Sequence, residues 1–86
     1  ASNKEVGHGR FDLRVVREDK KAAFIFELKK SEDDVYLKKD GAAALSQIKN
    51  KKYYSDLRGW TCHLIGVAFY KKRMSKFACE VVQVPE

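Results

Sequence analysis

The chain has 86 residues, enough for one small domain and no more. Hydrophobic residues make up 44% and charged residues 35%, which is not the composition of a disordered chain. Eighteen Lys and Arg against twelve Asp and Glu leave a net charge of +6, which suits an anionic partner such as nucleic acid, or a solvated lysine-rich surface.

The most apolar run, residues 64–70, is seven residues long, well short of the roughly 18 a membrane span needs. Residues 1–10 carry charge and no apolar stretch, so no signal peptide is read. Two cysteines, Cys62 and Cys79, make no disulfide framework. They are expected as reduced thiols in a cytoplasmic protein. The chain starts at Ala1 and its single methionine is Met74, so a processed product or a fragment is expected.

Residues 11–16 read F-D-L-R-V-V, with Phe11, Leu13 and Val15 alternating with Asp12 and Arg14 as in a half-buried strand. Residues 17–21 form a charged turn. Residues 22–29, A-A-F-I-F-E-L-K, predict a central strand, apolar on both faces at first and ending in charge. Ser31 or Asp33 is placed to cap the next element. Val35, Leu37, Ala42, Leu45, Ile48 and Leu57 then recur at roughly helical spacing. They predict a helix over 33–57, stopped by Gly59 and weakened near its start by Gly41.

Residues 61–70 predict the most hydrophobic strand, residues 71–75 a basic turn, and residues 76–84 a closing strand. The order is strand, strand, helix, strand, strand. Each strand pair closes as an antiparallel hairpin, and the helix carries the chain across to a parallel neighbour. One helix cannot cover both faces of such a sheet. Phe24, Phe26, Val67 and Phe69 therefore imply a missing layer, supplied by an upstream segment, a second copy or a partner.

The chemistry concentrates on Asp12, Glu27 and Lys29. Glu27 and Lys29 lie two apart on one strand and face the same way. The hairpin sets Asp12 beside them. Adjacent carboxylates repel unless a cation lies between them, and hard oxygen donors suit Mg²⁺ or Mn²⁺. Lys29 can then polarise water or stabilise charge on a phosphate. E-x-K also reads as an ordinary solvated pair at a strand end. What distinguishes it is its position: the charges interrupt an apolar strand next to another carboxylate.

The runs S-N-K-E-V-G-H-G-R-F-D-L, A-F-I-F-E-L-K and A-L-S-Q-I-K-N-K-K-Y, in this order, resemble the PD-(D/E)XK nuclease superfamily. More closely, they resemble the nuclease-like domain at the C-terminus of predicted AAA-ATPase-like bacterial proteins. The resemblance runs from about residue 2 to residue 70. It implies a restriction-endonuclease-like α/β fold, a mixed sheet flanked by helices. It also implies that Asp12 matches the family's aspartate, that Glu27 and Lys29 match its E-x-K, and that Gln47 matches a glutamine on the following helix. The family's N-terminal helix, often bearing a further glutamate, has no counterpart. Glu5 lies in the loop before Asp12 and is not assigned that role. Residues 1–86 are thus expected to be a single nuclease-like domain truncated at its N-terminus.

Gln47, Lys51 and Tyr54 share one helical stripe, on which the tyrosines are expected to pack rather than to act. Lys49, Lys51 and Lys52, with Lys71, Lys72, Arg73 and Lys76, form two basic clusters. Arg10, Lys30, Lys51, Lys52, Lys72 and Arg73 are the expected backbone contacts, and ordinary solvation fits these clusters equally well. His8 reads as a loop histidine. Cys62 and His63 lack the other ligands of a zinc site and point to opposite faces. Trp60 is expected to close the helix–strand junction.

The expected function is Mg²⁺- or Mn²⁺-dependent hydrolysis of a nucleic-acid backbone, DNA in preference to RNA, in the manner of restriction-endonuclease-like nucleases and junction resolvases. The alternative is a binding module that keeps the fold without the chemistry. A homodimer is expected, and no membrane association.

Overall fold

The computed structural model describes residues 5–6, 9–10, 13–72 and 74–86, with only the backbone given for Glu5, Val6, Gly9, Arg10 and Met74. Strands β1 (Glu5–Val6) and β2 (Gly9–Arg10) form a small antiparallel pair. Strands β3 (Leu13–Arg17) and β4 (Ala22–Lys30) form an antiparallel hairpin. A single 3₁₀ turn (Asp34–Tyr36) leads into helix α1 (Leu37–Lys51). Strands β5 (Thr61–Tyr70) and β6 (Met74–Gln83) complete the sheet. The sheet order is β3-β4-β5-β6, with β4 and β5 parallel and the outer pairs antiparallel. This is the architecture read from the sequence, a mixed four-stranded sheet with one helix between its two inner strands.

The alternation of each strand decides which side is covered. On β4, Ala23 and Ile25 are buried beneath α1; on β5, Cys62, Leu64 and Ala68 are. Ile48 and Leu37 come down from the helix to meet them. Each fully buried Ile or Leu is worth about 1.5–3 kcal/mol relative to exposure, so Ile25, Ile48 and Leu64 anchor the layer. Gly66 lets the helix come closest. A Cβ there would collide with Leu45 N and Gly41 O, so the helix backbone rests directly on the strand. Gly41 is buried too, but on its own side it faces β6, where a Cβ would lie 3.4 Å from the carbonyl oxygen of Lys76.

The helix is shorter than the residue spacing predicts. It starts at Leu37 rather than 33 and ends at Lys51 rather than 57. Asp33 caps the 3₁₀ turn instead, its side chain accepting from Val35 N–H at 3.3 Å. The helix stops at Lys52, whose backbone is left-handed at φ 52° and whose N–H bonds the carbonyls of Ile48 and Lys49. Residues 53–57 turn back and bury Tyr53 and Leu57 in the core. A core-facing turn thus continues the apolar spacing of the helix without its hydrogen bonds. Gly59, at φ 83°, serves the turn into β5 and not the helix stop. The closing strand begins at Met74 and ends at Gln83, two residues before and one residue before the predicted limits.

The other side of the sheet carries Phe24, Phe26 and Leu28 of β4, in register with His63, Ile65 and Val67 of β5. Phe24 and His63 stack with ring centroids 4.6 Å apart. Phe77 of β6, opposite Val67, is 69% exposed, and Val81 and Leu28 are also open to solvent. Among the described residues no helix lies on this face, and Phe24, Phe26 and Val67 are half-buried there.

Candidate active site

Glu27 and Lys29 occupy the last turn of the pleat in β4, on the side that faces α1. The helix runs back over that strand end and aims two side chains at it. Gln47 Nε2 donates to Glu27 Oε2 at 2.8 Å and to the Tyr53 hydroxyl at 3.4 Å. Asp40, one turn into the helix, places Oδ1 3.7 Å from Lys29 Nζ. Its other oxygen, Oδ2, accepts a hydrogen bond from the Ser31 hydroxyl at 2.7 Å. Ser31 is 2% exposed, and its N–H bonds the Phe69 carbonyl at 2.8 Å. The E-x-K pair is therefore met residue by residue from the helix: Gln47 on the carboxylate, Asp40 on the ammonium.

The structure thus brings together Glu27, Lys29 and Gln47 of the residues singled out in the sequence. Asp12 and Arg73 lie outside the described residues, as does the side chain of Arg10. Ser31 does not cap the helix; it holds Asp40. Tyr54 leaves the stripe of Gln47 and Lys51 because the helix has ended, and it packs beside the core, while Tyr53 sits inside it. Asp40 carries no signal in the sequence beyond an acid near a helix start, which any helix dipole favours, and Ser31 none beyond that of a cap.

The basic residues separate into two groups. Lys51 and Lys52 stand exposed at the C-terminal end of α1. Lys30 and Lys72 stand exposed at the carboxyl ends of β4 and β5. There a cleft of about 440 Å³ is lined by Lys30, Ser31, Glu32 and Tyr70, and Lys71 Nζ lies 5.2 Å from the centre of the Tyr70 ring. Lys49 leaves the first group, because it pairs with Glu80 at 2.9 Å. The sequence marks Arg14 only as a polar residue of a half-buried strand. It grips both oxygens of Asp56 at 2.8 Å and ties β3 to the turn that follows the helix.

Cys62 offers no nucleophile here. Cys62 is fully buried, and burial pushes its thiol up to about 11. Its strand neighbour His63 points to the opposite face and stacks on Phe24. Trp60 packs against the core at the junction into β5. Among the described residues no three His, Cys, Asp or Glu side chains cluster to hold a metal ion.

An E-x-K pair at the end of the second strand of a mixed sheet, overlaid by a glutamine from the crossover helix, is a specific arrangement. The family model of the PD-(D/E)XK nuclease superfamily matches residues 1–78. The chain belongs to the PD-(D/E)XK nuclease superfamily. Its α/β architecture agrees with the restriction-endonuclease-like fold of that superfamily. No curated protein and no solved structure matches the chain. Superfamily membership brings a nuclease-like function in general terms, with nucleic acid as the partner class and divalent metals as the usual cofactor. Among the described residues no helix is long and apolar enough to cross a membrane.

Proposed function

We propose that this domain hydrolyses phosphodiester bonds of nucleic acid, DNA in preference to RNA, with Asp12, Glu27, Lys29 and Gln47 as its working residues. The observation that carries this reading is the hydrogen bond from Gln47 to Glu27 directly above the E-x-K pair. A glutamine amide that donates to a carboxylate fixes the orientation of that carboxylate and leaves its charge in place.

The donor chemistry fits a hard divalent ion, since Glu27 offers carboxylate oxygen held by a neutral partner. Asp12 is the expected second ligand. Asp12 directly precedes Leu13 in the sequence, and Leu13 pairs with Phe26, the residue before Glu27. Mg²⁺ or Mn²⁺ held by Asp12 and Glu27 would polarise the phosphate and lower the barrier to attack by water. Lys29 supplies positive charge to the phosphate oxygens as the P–O bond to the leaving alcohol breaks. Arg10, Lys30, Lys51, Lys52, Lys72 and Arg73 contact the backbone of the substrate without reading its bases.

Calorimetry with Mn²⁺ tests the reading. The chain is expected to bind the ion and Glu27→Ala to lose that binding. Nicking of supercoiled DNA, and cutting of branched and linear duplexes, should then require Mg²⁺ or Mn²⁺ and disappear in Lys29→Ala. A second reading has one observation in its favour: Lys29 is engaged by Asp40. On that reading the domain docks nucleic acid through its basic ends without cutting it. Salt-dependent DNA binding with no ion binding and no cleavage would select it.

A further inference from the structure

We infer that Ser31 and Asp40 are positioning residues that fix where the Lys29 ammonium stands, an inference that rests on the role given to Lys29 above. Lys29 is 50% exposed and ends a flexible four-carbon stem. Left to itself, such a group samples many positions around the end of β4. Catalytic help from a cation needs the charge at one place. Asp40 supplies that place. Its side chain is only 16% exposed, and Oδ1 lies 3.7 Å from Lys29 Nζ. The carboxylate is itself held, because the hydroxyl of Ser31 donates to Oδ2 at 2.7 Å.

Ser31 is anchored in turn. It is buried, and its N–H is bonded to the carbonyl of Phe69 on the neighbouring strand. A buried hydroxyl must find a partner, and here the partner is the acid that meets the lysine. The chain of contacts therefore runs from the backbone of β5 through Ser31 and Asp40 to Lys29. The position of Asp40 near the helix start accounts for an acid in that turn through the helix dipole. The dipole does not account for its aim at both Ser31 and Lys29. An ion pair with one half-exposed partner adds little to stability, so what the bracket contributes is geometry.

The neighbouring lysine is a built-in reference. Lys30 follows Lys29 on the same strand and alternates to the opposite face, opposite Phe69. Competitive acylation with limiting acetic anhydride, read by peptide mass spectrometry, gives the reactivity of Lys29 relative to Lys30. An amine held against a carboxylate reacts more slowly than a free one. In Asp40→Asn and in Ser31→Ala the Lys29-to-Lys30 ratio is expected to rise about threefold. Asp40→Glu is expected to restore part of the protection. An unchanged ratio in both variants, with native circular dichroism, overturns the inference.

Kinetics supply the second readout on any substrate that the unmodified chain cleaves. Asp40→Asn is expected to lower kcat about tenfold at unchanged KM. A KM effect without a kcat effect overturns the positioning role. If the unmodified chain cleaves nothing while the labelling ratio moves, the nuclease reading of Lys29 fails and the bracket stands.

Discussion

Gly66 lies beside Glu27 across the parallel ladder of β4 and β5, and it is the point at which the sheet touches the backbone of α1. The distance between helix and sheet is thus set next to the carboxylate that the helix glutamine must reach. With any side chain at residue 66, α1 would stand farther off, and Gln47 could not sit 2.8 Å from Glu27.

Gly66→Ala should therefore disturb both stability and the site. The colliding atoms are backbone, Leu45 N and Gly41 O, and cannot swing aside as a side-chain tip does. Overpacking of this kind costs about 1–3 kcal/mol, and a rigid contact belongs at the upper end. Urea unfolding is expected to show the loss as a lower midpoint. Ala68→Gly is the comparison, because it removes rather than adds a methyl on the same buried face.

Gln47 should act on the ion more than on the fold. It is exposed at the helix surface, so Gln47→Leu is expected to cost less than about 1 kcal/mol in unfolding. Residues that orient a ligand typically change metal affinity by about 10–100-fold when removed, and calorimetry with Mn²⁺ is expected to show a loss in that range. Gln47→Glu keeps the shape and sets a second negative charge on Glu27 Oε2 in place of a donor. A fall in ion affinity for Leu with none for Glu would contradict the donor role.

The two cysteines should separate by pH. Cys79 is exposed and Cys62 is buried, with its thiol raised to about 11 from an ordinary value of 9.0. The sign follows from the neutral form being the one the core favours. Burial of the neutral thiol contributes stability that is complete below about pH 9 and is lost as pH rises through about 11. Iodoacetamide at mildly alkaline pH is expected to label Cys79 alone. Labelling of Cys62 should appear only with denaturant or near the upper pH. Equal rates for both cysteines in the folded chain would contradict the packing of β5 under α1.

Much of this arrangement is legible in the residues themselves. Strand β4 announces itself through A-A-F-I-F, and the charges that end it mark the site because they break an apolar run. Gly66 and Gly41 are visible as glycines, but the contact they make is not, since close approach depends on which residue of another element arrives there. Asp40 and Ser31 are hidden for a related reason. Each has an ordinary local explanation, helix dipole or cap, and only the path of α1 over β4 shows that they meet Lys29. The end of the helix is hidden by Tyr53 and Leu57, which keep a helix-like spacing while turning into the core. The second sheet face is the opposite case: Phe24, Phe26 and Val67 show its apolar character in the sequence itself.

Lys52 separates stability from nucleic-acid binding. It ends α1 in the left-handed region at φ 52°, where a Cβ is strained and glycine is not. Lys52→Gly relieves that strain, at the cost of some freedom in the unfolded chain, and is expected to raise stability by about 0.5–1 kcal/mol. The same change removes one exposed cation from the C-terminal end of the helix. If Lys52 contacts a phosphate, the slope of log affinity against log salt should fall by about 0.9 for duplex DNA. Lys38→Gln, on the same helix but near its other end, controls for charge alone. The expected pattern is a higher melting temperature with weaker, less salt-sensitive DNA binding for Lys52→Gly. Weaker binding by the same amount in Lys38→Gln would mean that net charge, and not the place of Lys52, holds the nucleic acid.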